Sequence, residues 1–203
     1  MMSEILLKEK ENSIIEAARK RFAHYGFSKV TMDEIASDID MSKASLYYYF
    51  PTKENLFYAV LNQEQNEFIK EMDGIIKTKL SASQKLITFV NKRLIYFQQF
   101  LNIGTLSFHT FLDTKSFYNK YFVDFEEKEL GLINQIISEG KANGEFDKKL
   151  DENTAIVLLH VLHGLRIRTL RMIKEPNLTN KAILKLQGEM DVVIKIFIKG
   201  ISK

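Results

Sequence analysis

Cysteine is absent from all 203 residues. That excludes a disulfide framework, a thiolate nucleophile and a cysteine-ligated metal. Proline occurs only twice, at Pro51 and Pro176, and no stretch is rich in proline and glycine. Stiff rather than flexible connections are therefore expected between segments. The opening Met-Met-Ser-Glu lacks the basic-then-apolar pattern of a signal peptide. One run, Leu94 to Leu112, carries no Asp, Glu, Lys or Arg, but Gln98, Gln99, Asn102, Gly104, Ser107 and His109 argue against a membrane span. A cytoplasmic location without membrane partners is the expectation. No glycine-rich phosphate loop, nucleophile elbow or paired-carboxylate pattern appears, so neither enzyme activity nor a cofactor is expected.

What is present is a chain that is 45% hydrophobic and 27% charged, enough to bury a full core in one or two domains. The net charge is +3, yet residues 1–60 hold eight Lys/Arg against nine Asp/Glu, about −1. Bulk charge thus gives no signal for nucleic acid. Local placement does: Met41 to Lys53 contains two lysines and no acid, Arg19-Lys20-Arg21 is basic, and the acids gather at Asp33, Glu34 and Asp38.

The stretch Thr31 to Lys53 reads TMDEIASDIDMSKASLYYYFPTK. Thr31 followed three residues later by Glu34 is a capping box. Ser42, with Ser45 at the same spacing, and Thr52 after Pro51 are two further N-cap candidates. Two short helices fit between these caps. Ile35, Ala36 and Ile39 give the first an apolar face, and Asp40 falls where a tight turn needs positive φ. The pattern predicts a helix-turn-helix. In its second helix Lys43, Ala44 and Ser45 occupy the first turn, with Tyr47, Tyr48 and Tyr49 behind. Small residues permit close approach to a groove, Lys and Ser can pair with base edges, and a tyrosine hydroxyl can reach phosphate. Leu46 and Phe50 point the other way. Pro51 ends the helix. Lys53, at the next helix start, suits a phosphate. Thr31 and Ser42 complete the expected DNA-contact set. A buried Leu46–Phe50 strand is the competing reading, opposed by the flanking caps and the lack of a partner strand.

These residues resemble the TetR family of one-component bacterial regulators. Phe22 to Gly26 matches its Phe-x-x-x-Gly, Thr31, Ile35 and Ala36 its Thr-x-x-x-Ile-Ala, Ser42 to Phe50 its recognition helix, and Lys53, Glu54 and Leu56 its Lys-Glu-x-Leu. Two positions depart: Asp40 stands for the turn glycine and Ala44 for the glycine after the cap. The resemblance implies an all-α fold of about nine helices. It would comprise a three-helix helix-turn-helix domain at 1–52, a connecting helix at 53–79, and an effector-binding and dimerisation domain at 80–203. It implies a dimer on a palindromic double-stranded DNA operator, released by a small effector, and repression rather than activation.

Helical periodicity fills in the rest. The first helix is expected from about Glu9 to Tyr25, with Ile15, Ala18, Phe22 and Tyr25 inward and Gly26 as its C′ residue. Further helices are expected from Lys53 to about Lys79, from Ser81 or Ser83 to about Leu101, from Ser116 to about Asn143, from Asp151 or Asn153 to about Lys174, and from Asn180 to Lys199. Gly104 to Leu112 is a short aromatic-rich piece. Ala155 to Leu165 is apolar nearly all round, and the last helix repeats apolar residues every three or four. A self-associating bundle follows, with Leu158, Leu162, Leu165, Met190, Val193 and Phe197 at its interface. A larger intramolecular core is the alternative. Tyr96, Phe97, Phe100, Phe108, His109, Phe122, His160, His163 and Arg166 are the candidate effector contacts. His160 and His163 could hold a metal at i,i+3, but lack the accompanying carboxylate pattern, so no metal is assigned. A helical interaction module, or a metal-binding protein using these two histidines, is the alternative function.

Overall fold

Leu, Lys, Glu and Ala, all good helix formers, dominate the first 25 residues. They form one helix, α1 (Met2–Tyr25), in a computed structural model that describes residues 2–103, 115–172 and 180–203. The helix begins at Met2, ahead of the expected start near Glu9. Residues 5–10 are exposed, so intrinsic propensity rather than packing extends it. Ile14, Ile15, Ala18 and Phe22 are buried, whereas Tyr25 is exposed and lies beneath the Arg21 guanidinium. Gly26 ends α1 at φ 80°, its N–H bonded to the Phe22 carbonyl at 2.8 Å.

Three capped helices follow: α2 (Met32–Asp38), α3 (Lys43–Tyr49) and α4 (Lys53–Ile76). Each expected cap forms. The Thr31 hydroxyl accepts from Glu34 N–H at 3.3 Å while the Glu34 carboxylate accepts from Thr31 N–H at 2.8 Å. Ser42 and Thr52 accept from Ser45 and Asn55 N–H, both at 3.1 Å. Asp40 holds the turn at φ 50°, the one non-glycine residue with positive φ among those described. The Leu46–Phe50 segment is helix, not strand. Its last residue is extended ahead of Pro51, as the proline requires.

Beyond α4 lie α5 (Ala82–Ile103), α6 (Lys115–Ala142), α7 (Asn153–Met172) and α8 (Asn180–Ile201). The described residues thus form eight helices and no strand beyond an isolated Phe146–Ser202 bridge. The Gly104–Leu112 piece falls outside the described residues. Ser81 accepts from Gln84 N–H at 3.2 Å, and the Glu145 carboxylate takes the Ala82 and Ser83 N–H groups at 2.8 and 2.9 Å. A distant acid therefore caps α5, where the helix dipole favours negative charge. Gly140 on α6 is required by close approach: a Cβ there would stand 2.2 Å from the buried Phe146 ring.

The described residues form two cores. Ile14, Phe22, Ile35, Leu46, Leu56, Phe57 and Leu61 build the first from α1 to α4. Phe22 meets Phe57 edge-on at 5.4 Å. Phe68, Phe89, Phe125, Ile133, Ile136, Leu158, Leu162 and Met190 build the second from α4 to α8. Helix α4 belongs to both. Its first half anchors in one core and Phe68, Met72 and Ile76 in the other, so a shift of either core is felt along one rigid rod.

Candidate nucleic-acid interface and effector region

The α2–α3 unit shows one face to solvent. Leu46 and Phe50 are buried beneath α3, while Ser42, Lys43, Ala44, Ser45, Tyr47 and Tyr48 are exposed, Tyr48 at 79%. Tyr49 is half-buried against the first core and meets the Tyr48 ring at 5.5 Å. The Thr31 hydroxyl is occupied by the capping box. An open hollow of about 610 Å³ lies alongside, lined by residues of α3, the turn Ile39–Met41 and Lys10 of α1. Sequence spacing gave no signal for Lys10, which reaches this face only because α1 packs on α2, which carries α3.

The acidic count of this half is resolved by internal pairing. Arg21 binds Asp38 with Nη2–Oδ1 at 2.8 Å and lies 3.4 Å from Glu34. Asp33 holds Lys43 Nζ at 2.9 Å. Hydrogen bonds from Thr31 lower the Glu34 pKa, and those from Arg21 lower that of Asp38. The Asp33 carboxylate raises that of Lys43. Arg19 is engaged by Glu16 at 2.8 Å and lies 3.6 Å from Glu64, whereas Lys20 is largely exposed.

Lys53 makes contacts within the chain that the expected phosphate role did not include. Its ammonium donates to the Phe27 and Val30 carbonyls at 2.9 and 3.0 Å and sits 4.4 Å over the Phe27 ring. Two of its three donors thereby clamp the α1–α2 loop to the start of α4. The carbonyls that end the loop point at it, which the sequence did not reveal.

In the second core Tyr96 is half-buried, its ring 5.3 Å from Phe68. Burial and the nearby Glu71 and Glu67 push its pKa up to about 12. Phe97 is buried. Phe108 and His109 lie outside the described residues, as do the side chains of Phe100 on α5 and Phe122 on α6. His160 is exposed, its Nε2 3.6 Å from Glu126, while His163 approaches the buried Glu129 at 3.4 Å. The two histidines thus address different carboxylates, and among the described residues no group of three metal-ligating side chains comes together. Glu129 also accepts from Arg93 Nε at 2.5 Å. Burial alone would raise its pKa, but Arg93, His163 and Arg166 together hold it down at about 2. Arg166 is 4% exposed.

The expected interface residues divide. Leu158, Leu162 and Met190 are each 1% exposed and belong to this chain's own core, while Leu165, Val193 and Phe197 are half-buried against it. A side chain already buried has no surface left for a partner, so Leu158, Leu162 and Met190 are corrected to core positions, while Leu165, Val193 and Phe197 keep a partly exposed edge. The apolar residues left outward on α7 and α8 include Val157, Val161, Val192 and Ile196, each more than 40% exposed, with Met172 and Leu184 towards the helix ends. In helices apolar nearly all round, periodicity could not tell the inner face from the outer.

A short second helix docked on a capped first one by Leu46, with small, cationic and aromatic side chains outward, defines a helix-turn-helix DNA-binding protein. The family model for bacterial regulatory proteins of the tetR family matches residues 14–60. A transcriptional regulator from Cytophaga hutchinsonii has the same fold at a TM-score of 0.89 with 41% identity, over 96% of this chain and 99% of that one. The regulator QacR of Staphylococcus aureus is 25% identical over 195 residues, 95% of this chain and 98% of its own. The regulator FadR of Bacillus subtilis, solved with stearoyl-CoA, shares the fold at a TM-score of 0.65 and 19% identity over 93% and 98% of the two chains. The chain belongs to the TetR family of transcriptional regulators. No helix among the described residues is long and apolar enough to cross a membrane.

Proposed function

We propose that this regulator binds an inverted-repeat operator as a dimer, with α3 of each copy in successive major grooves, and represses by occupying that site. Residues 1–52 are its DNA-binding unit, 53–79 the connecting helix, and 80–203 the effector and dimerisation domain. The observation that carries the reading is the outward face of α3, Ser42 to Tyr48, held in place by Leu46 and Phe50 beneath it. Dimerisation is supported by the outward Val157, Val161, Val192 and Ile196, which extend one apolar face across α7 and α8.

Release follows from the position of Phe68. It lies on α4 and touches Phe89, Tyr96 and Phe125 at 5.6, 5.3 and 5.9 Å between ring centres. A small apolar effector that displaces Tyr96 or Phe97 pushes on Phe68 and thus on α4, whose other half carries the DNA-binding core. Two recognition helices must stand about 34–36 Å apart to meet one turn of B-DNA, so a tilt of α4 weakens binding. A coupling of about 1–3 kcal/mol corresponds to a 5–150-fold loss of operator affinity.

The test is operator affinity by fluorescence anisotropy, with and without effectors found by thermal shift. Lys43→Ala and Tyr47→Phe should each weaken operator binding. Unchanged affinity in the double variant removes the α3 assignment, and unchanged affinity at saturating effector removes the release mechanism.

A further inference from the structure

We propose that Arg166 receives the carboxylate of an apolar organic acid, so that the effector is anionic at one end. This takes from the effector reading only the location of the site. Arg166 is 4% exposed, and neither Nη1 nor Nη2 has a hydrogen-bond partner among the described residues. Every other buried charge near it is paired. Glu129, wholly buried, is bound by Arg93 and approached by His163. Arg93 lies over the Phe125 ring at 4.9 Å. Glu126 faces His160 at the exposed edge.

The local charge therefore does not balance. Two guanidinium groups share one buried carboxylate, and His163 adds a further positive charge when protonated. Burial and repulsion from Arg93 lower the Arg166 pKa to about 9 despite Glu129 and Glu126. A buried cation with open donors is strongly destabilising, and replacing such groups by apolar ones is often stabilising. A buried group that opposes stability fits a ligand role, where stability is given up for function. The chemistry of the ligand follows from the open atoms. Nη1 and Nη2 form one end of a planar fork whose geometry matches the two oxygens of a carboxylate. Because Arg166 is buried on α7 one turn after the core residue Leu162, near Arg93, which lies over the core residue Phe125, the rest of the molecule must be apolar.

The experiment is calorimetric titration of the full chain with saturated carboxylates of eight to fourteen carbons and with benzoate, each against its matched alcohol. The wild-type chain should prefer an acid over its alcohol by roughly tenfold to 150-fold, as a charge-assisted bidentate contact implies. Arg166→Gln should abolish that preference while leaving alcohol affinity in place. Arg166→Met should also abolish it, yet unfold at no lower urea concentration than wild type without ligand, which a purely structural arginine would not allow. Equal binding of acids and alcohols, no binding of any acid, acid binding unchanged in Arg166→Gln, or a destabilised Arg166→Met each overturns the proposal. Operator affinity is measured separately. Acid bound through Arg166 without operator release removes the sensor mechanism and keeps this site. Release by neutral molecules alone does the reverse.

Discussion

Replacing Lys53 by methionine separates two roles that one lysine could play. The stem is largely retained, and what is lost is the ammonium with its bonds to the Phe27 and Val30 carbonyls at 2.9 and 3.0 Å and its place 4.4 Å over the Phe27 ring. A hydrogen bond from a charged donor contributes about 1.5–3 kcal/mol, which bounds the pair at about 3–6 kcal/mol. Lys53 is only partly buried, so water can reach both carbonyls in the variant and the loss shrinks to about half. The cation–π contact adds about 0.5 kcal/mol at such a site. A loss of about 2–3 kcal/mol is therefore expected, read by urea unfolding of the full chain without DNA. Operator binding between 50 and 200 mM salt supplies the second measurement. A phosphate contact would lower the slope of log K against log salt by about one unit, whereas a loop clamp leaves it unchanged. Stability within 0.5 kcal/mol of wild type, together with a slope reduced by one, would refute the clamp and restore the phosphate role.

Three further outcomes follow. Val161→Glu combined with Ile196→Glu should give a folded monomer at micromolar concentration in sedimentation, whereas Leu158→Glu should unfold the chain, because only the first two are outward; a dimeric double variant would sink the proposed interface. Glu129 has its folded pKa near 2 against an ordinary 4.5, so its stabilisation of about 3 kcal/mol is present above pH 4.5 and is lost as pH falls towards 2. Glu129→Gln should accordingly be less stable at pH 7 and lose less stability than wild type between pH 5 and 3 in urea melts; parallel acid limbs would contradict this. Asp40→Gly should stabilise by about 0.5–1 kcal/mol, since φ 50° costs a side chain that glycine lacks, and a destabilised variant would show that the Asp40 carboxylate has a role of its own.

The sequence by itself determined the local architecture of the DNA-binding half. Thr31, Ser42 and Thr52 announce three helix starts because an N-cap bond closes within three residues. Asp40 and Gly26 mark turns because positive φ is a property of single residues. Leu46 and Phe50 are inward because helical spacing alone fixes the face they share with the rest of the apolar stripe. Everything that depended on distant partners was decided by tertiary structure. Lys53 reads in the sequence only as a phosphate ligand, and its bonds to the carbonyls of the loop 23 to 26 residues upstream appear only in the fold. Lys10 joins the α3 face only through the packing of α1. In α7 the apolar residues run around the whole helix, so the sequence could not distinguish inward Leu158 and Leu162 from outward Val157 and Val161. The buried charges obey the same rule. Arg93, Glu129 and Arg166 lie 36 and 37 residues apart in sequence, and only the packing of α5, α6 and α7 brings two cations to one carboxylate and leaves Arg166 with open donors.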